Sequence, residues 1–135
     1  MIDFLLDTNI CIYIIKKKPQ KVLDELRNHD VSEIGISSIT LGELEYGANK
    51  SSRVEENKFA IAEFVAPLEI IDFNDNAARA YGEIRADLEK RGKVIGPLDM
   101  LIGAHALSLE CTLVTNNTKE FKRIKGLELA NWTRS

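Results

Sequence analysis

The chain has 135 residues, 44% of them hydrophobic and 29% charged, which fits one globular domain over 1–135 that buries its own core. No apolar run approaches the roughly 20 residues of a membrane span, no basic leader or small-residue cleavage site is seen at the N-terminus, and Cys11 and Cys111 sit apart in apolar surroundings, so a cytoplasmic protein with two free buried thiols is expected. The net charge of −3 does not by itself suggest nucleic acid, but the ends are basic and the middle acidic, which leaves room for a local basic surface.

In chain order, Phe4-Leu5-Leu6 is a short apolar run that ends abruptly in Asp7-Thr8-Asn9 and passes into a helical pattern. A buried parallel strand delivering an acid to the edge of a sheet has this form. The helical pattern is broken at Pro19 and resumes through Val22, Leu23 and Leu26. Ile34-Gly35-Ile36-Ser37 reads as the second strand. Thr40 then opens a helix carrying Leu41 and Leu44, ended by Ser51-Ser52, and a further helix near Glu55–Val65 places Phe59, Ile61, Ala62 and Phe64 toward the core. Leu68–Ile71 is the third strand. A long helix starts at Asn74 or Asp75 and stops at Gly92.

Pro97 suits the first position of the next helix, which runs through Met100, Leu101, Ala104 and Leu107. Thr112–Thr115 is the fourth strand, residues 116–121 form a turn and a short helix, and Leu127–Leu129 is a weak last strand. Strands alternating with helices predict an α/β fold: a three-layer α/β/α sandwich with a central parallel sheet.

Parallel topology decides where the acids fall. Asp7 ends a strand, Glu43 follows the second strand, and Asp99 begins a helix that leads into the fourth. All three come to the carboxyl edge of the sheet, where open α/β folds bind ligands. Asn116 and Asn117 follow the fourth strand and are expected at the same rim. Each acid also has a local explanation. Asp7 can cap a helix, Thr40 to Glu43 fits a capping box, and Asp99 suits a helix dipole. Two carboxylates about 5 Å apart at an effective dielectric near 20 repel by roughly 3 kcal/mol. Three such pairs cost about 10 kcal/mol, comparable with the stability of a domain. Such a cluster calls for a cation or a proton, and all-oxygen ligands favour Mg²⁺ or Mn²⁺ over Zn²⁺. The chemistry that follows is phosphodiester hydrolysis.

At these residues the chain resembles the PIN-domain ribonucleases and, among them, the VapC-type toxins of type II toxin–antitoxin pairs. The resemblance runs through Leu6–Asn9, Ser37–Gly47, Ile95–Asp99, Ala104–Leu107, Leu113–Phe121 and Leu127–Trp132, so it covers nearly the whole chain. It implies that Asp7, Glu43 and Asp99 are catalytic and metal-binding and that Thr8 and Thr115 support them by hydrogen bonds. It implies Mg²⁺-dependent endonuclease cleavage of RNA, often tRNA, by a homodimer inhibited by a cognate antitoxin and able to join a larger toxin–antitoxin assembly. Many members carry a further acid after the fourth strand. Here that region offers Asn116 and Asn117, with Glu120 slightly beyond.

Two other readings stay open on the sequence: a phosphatase or phosphotransferase with Asp7 as nucleophile, and a non-catalytic binding module with the same fold. Nucleotide binding is disfavoured by the lack of GxGxxG and of GxxxxGK followed by Ser or Thr. His105 reads as a packed core histidine, and Trp132 as a residue that packs the C-terminus. Lys16–Lys18, Lys90 to Lys93 and Lys119 to Lys125 are candidate phosphate contacts.

Overall fold

The computed structural model describes residues 1–134. Among them, five strands form one fully parallel sheet: β1 (Phe4–Leu6), β2 (Ile34–Ser37), β3 (Glu69–Ile71), β4 (Thr112–Val114) and β5 (Leu129–Ala130). The spatial order is β3-β2-β1-β4-β5, so the first strand is central. Leu5 lies opposite Gly35 on one side and Leu113 on the other. The helices are α1 (Thr8–Lys16), α2 (Gln20–Arg27), α3 (Ser38–Asn49), α4 (Val54–Val65), α5 (Asp75–Lys90), α6 (Pro97–Leu109) and α7 (Thr118–Phe121).

Side chains alternate across the central strands and so feed two cores. Leu5 and Leu113 face Ile84 and Leu88 of α5, Met100, Ile102 and Ala104 of α6, and Phe121 of α7. Leu6, Val114 and Ile36 face Ile10, Cys11 and Ile14 of α1, Leu44 and Ala48 of α3, and Ile61 of α4. The predicted three-layer sandwich is what forms. Both cysteines are free and buried, and among the described residues no helix is long and apolar enough to cross a membrane. Gly35 is required where β2 meets β3: a Cβ there would lie 2.9 Å from Ile71 Cδ1 and 3.0 Å from the Glu69 carbonyl oxygen.

The structure revises three local expectations. α3 begins at Ser38, with Ser37 as N-cap accepting from the Ile39 N–H at 3.0 Å. Thr40 therefore lies inside the helix and is buried, and the Thr40–Glu43 capping box does not exist. A serine at the strand end can cap as well as a threonine three residues on, and the shorter turn keeps Ile36 in the sheet. Phe59 is 66% exposed rather than part of the core. Two residues from buried Ile61 it falls on nearly the opposite side of α4, and Ala62 is exposed too, so of the four expected residues only Ile61, with Phe64 partly, faces inward. The strand boundaries move by a residue or two: β3 starts at Glu69, β4 stops at Val114, and the last strand is Leu129–Ala130.

Candidate active site

Helix starts build the site. β1 ends at Leu6, and Asp7 continues the ladder with its N–H on the Val114 carbonyl at 3.0 Å before becoming the N-cap of α1. Its Oδ1 accepts from the Ile10 N–H at 2.9 Å. Asp7 is thus held at the carboxyl edge as the N-cap of α1, in line with the capping explanation. Glu43 lies in the second turn of α3. Asp99 lies in the first turn of α6, behind Pro97 at the helix start. Asp7, Thr8, Asn9, Glu43, Gly96, Pro97, Leu98, Asp99 and Ile102 line one open cleft of about 360 Å³. Three acids from three distant segments therefore share one crevice.

Thr8 joins two of those segments. Its hydroxyl donates to Glu43 Oε1 at 2.6 Å and lies 3.4 Å from the Thr40 hydroxyl. This fixes one carboxylate oxygen of Glu43 and leaves the other available.

The electrostatics of the cleft are set mainly by burial. Asp7 is 5% exposed, and its carboxyl is pushed up to about 6. Burial is the largest cause. The Thr115 hydroxyl and the Ile10 N–H favour the ionised form, and the charges of Asp99 and Glu43 add smaller upward pushes. Asp99 is also raised, first by burial, then by Glu120 and Glu43. Desolvation thus outweighs mutual repulsion, the reverse of the order that close-packed charges would give. The geometry agrees: among the described residues no three His, Cys, Asp or Glu side chains are gathered closely enough to hold an ion as they stand. The acids surround the cleft and do not touch. The all-oxygen donor set that lines the cleft is of the type that suits a hard divalent cation.

The loop after β4 divides its residues. Thr115 is buried beside Asp7 and accepts from the Asn117 N–H at 2.9 Å. Glu120, on α7, is the charge that raises Asp99 most, ahead of Glu43. Asn116 turns toward α1 and donates through Nδ2 to the Tyr13 hydroxyl at 2.9 Å. Asn117 sits at the start of α7 without a side-chain cap bond. Neither asparagine lines the acidic cleft. The turn that starts α7 thus points the Asn116 amide at α1, while Thr115 acts on Asp7 and Glu120 on Asp99.

Sequence reasoning missed the partnership of Ser37 with His105. Buried His105 on α6 meets Ser37 Oγ through Nδ1 at 2.8 Å, which links the helix of Asp99 to the cap of the helix of Glu43. Burial pushes the His105 imidazole below its ordinary value, with the Asp72 backbone opposing, so it is neutral at pH 7 and can share a proton with the hydroxyl. His105 is a core histidine, as expected, but a hydrogen-bonded one. Nothing local marks this pair, whose members are 68 residues apart.

The sequence pattern of the PIN domain matches residues 4–127. Ribonuclease VapC2 of Rickettsia felis is 47% identical over 133 residues, covering 96% of this chain and 97% of that protein. The tRNA(fMet)-specific endonuclease VapC of Shigella flexneri is 44% identical, covering 98% of this chain and all of the relative. Among solved structures, DNA-bound VapBC from Salmonella typhimurium matches with a TM-score of 0.93 at 43% identity, covering 98% of this chain and 99% of that one. VapBC2 from Rickettsia felis, bound to a promoter DNA fragment, matches with a TM-score of 0.89 at 47% identity over the same shares. On fold, site geometry and sequence together, the chain belongs to the PIN domain family and, within it, to the VapC group.

Proposed function

We propose that this protein is a metal-dependent endoribonuclease, the toxin of a type II toxin–antitoxin pair, with tRNA as the favoured class of RNA. The observation that carries the reading is the single cleft lined by Asp7, Glu43 and Asp99. The relatives named ribonuclease and tRNA-specific endonuclease support it, as do the VapBC complexes that share its fold.

Mg²⁺, or Mn²⁺ in its place, would be held by Asp7, Glu43 and Asp99, with Glu120 adding negative charge beside Asp99. When bound, the ion supplies a Lewis acid for the scissile phosphate and neutralises charge that develops on it. The chain's own residues prepare the rest. The Ile10 N–H and the Thr115 hydroxyl stabilise ionised Asp7 against its burial. The Thr8 hydroxyl donates to Glu43 Oε1 and so orients the Glu43 carboxylate at the cleft wall. Asn9 and Leu98 border the entrance.

A second groove, about 310 Å³, opens beside Glu43 and is lined by apolar Ile12, Ile15, Leu44, Ala48 and Ile61. It supports binding of an antitoxin segment through an apolar helix face. A phosphatase reading with Asp7 as nucleophile lacks the second acid two positions on, because position 9 is Asn.

The test is incubation of the purified protein with total cellular RNA, with and without Mg²⁺, followed by mapping of the cut ends. Cleavage is expected with Mg²⁺ only, and Asp7→Asn is expected to abolish it while the circular dichroism spectrum stays unchanged. If Asp7→Asn cuts RNA as fast as the wild type, the reading is wrong.

A further inference from the structure

We propose that the turn between α5 and α6, together with α7 and the residues after it, forms a basic ridge that grips the phosphate backbone of the RNA substrate where it enters the acidic cleft. The inference rests on the ribonuclease reading and adds to it the path of the substrate.

The ridge is built by specific ties. Arg91 at the end of α5 donates to the Arg123 carbonyl, and Arg123 Nη1 donates to the Val94 carbonyl at 3.0 Å. Lys125 lies 3.8 Å from Asp87. Residues 91–96 and 119–125, distant in sequence, are thereby locked into one surface. That surface borders the site at two points. The turn runs directly into Gly96, Pro97 and Leu98 of the cleft wall, and Glu120 on α7 acts on Asp99.

The charges on this surface are not balanced. Asp87 is occupied by Arg91 at 2.6 Å, and Glu89 by Arg85 at 3.0 Å. Lys90, Lys93, Lys119 and Lys122 are exposed, and among the described residues none of them forms an ion pair. Four unbalanced ammonium groups beside a cleft of acids, in a chain whose net charge is −3, form a dipolar pattern. The acids repel phosphate unless a cation covers them, and the ridge attracts it. A polyanion would therefore anchor on the ridge and present one phosphodiester to the cleft. Lysines are point charges without directional forks, so the grip reads backbone and not base sequence.

The experiment measures binding of a fluorescein-labelled single-stranded RNA of about 20 nucleotides to the full-length protein in EDTA, across a salt series. Lys93→Gln/Lys119→Gln/Lys122→Gln is compared with Lys21→Gln/Lys50→Gln/Lys58→Gln, an equal charge change on the opposite layer. Losing three phosphate contacts should reduce the slope of log affinity against log salt by about 2 and weaken binding about tenfold or more at moderate salt. The control triple should stay within about twofold of wild type. Unchanged affinity and slope in the ridge triple, or an equal loss in the control, would overturn the inference, as would a shift of the ridge triple to a smaller oligomer with RNA affinity intact, which would make the ridge an interface between copies. Mg²⁺-dependent cleavage that Asp7→Asn abolishes, alongside a ridge triple that binds normally, would overturn the ridge alone. Absence of both cleavage and RNA binding in the wild type would overturn both.

Discussion

The sharpest prediction concerns Asp7 and the stability of the metal-free protein. Its carboxyl is raised from 3.8 to about 6, chiefly by burial. An acid raised on folding binds its proton more tightly in the native state, so the unfolded state holds fewer protons over this interval. Stability contributed by the protonated group is full below about 4 and is lost as pH rises through about 6. The interval of about two units corresponds to about 3 kcal/mol at pH 7.5, at 1.36 kcal/mol per unit. Asp7→Asn is nearly isosteric with protonated Asp7. Its Oδ1 can still accept from the Ile10 N–H and its amide can donate to Thr115. In EDTA the variant should therefore be more stable than wild type by about 3 kcal/mol at pH 7.5, a rise in Tm of about 10 °C for a chain this long. The gain should shrink to near zero by pH 4. Urea unfolding of both proteins at pH 4, 5, 6, 7 and 7.5 measures the difference, so that titration of other carboxylates cancels. Saturating Mg²⁺ should raise the wild type and leave the variant almost unmoved. A variant no more stable than wild type at pH 7.5, or a gain that is the same at pH 4, would refute the account of Asp7 as a desolvated carboxylate under strain.

Mg²⁺ binding measured by calorimetry should weaken about tenfold for each unit of pH below 6, because Asp7 must lose its proton before it can hold the ion. Equal affinity at pH 5 and 7 would contradict this. Ser37→Ala removes the cap of α3 and leaves His105 Nδ1 without its partner, and should cost about 2–3 kcal/mol in urea unfolding. Gly103→Ala would place a Cβ 2.5 Å from Ile124 Cδ1 and should cost about 1–3 kcal/mol. Adding Ile124→Val, which removes that atom, should recover most of the loss, and failure to do so would show that the helix–loop contact is not the cause.

The fold was legible because its signals are local. The apolar runs at Phe4–Leu6 and Thr112–Val114, the long helix ended near Gly92, and Pro97 at a helix start all have one cheap structural solution, and alternation of strands with helices then forces a parallel sheet. Errors came where two local solutions differ little in energy. Ser37 and Thr40 are both competent caps, and the choice falls to the strand register that keeps Ile36 inside. Phe59 was misplaced because four apolar residues within α4 look like a stripe until their angles are counted, and only those in phase with Ile61 can be buried.

The site was legible only as far as topology carries it. Knowing that strands are parallel puts Asp7, Glu43 and Asp99 at one edge, whatever their side chains do. Orientation beyond that depends on contacts between residues far apart in sequence. Thr8 reaches Glu43 across 35 positions, and Asn116 turns to Tyr13 across 103. The second of these decides the chemistry of the rim. With Asn116 drawn to α1, the charges felt by Asp99 are those of Glu120, one helical turn farther on, and of Glu43. Glu120 thus adds its charge to Asp99 without lining the cleft itself. Desolvation raises Asp7 more than its acidic neighbours do, so an ion entering the cleft relieves a cost imposed mainly by the fold. The rigid strand end that makes Asp7 costly to ionise is also what places it where an ion, and behind it a phosphate held by the ridge, can use that charge.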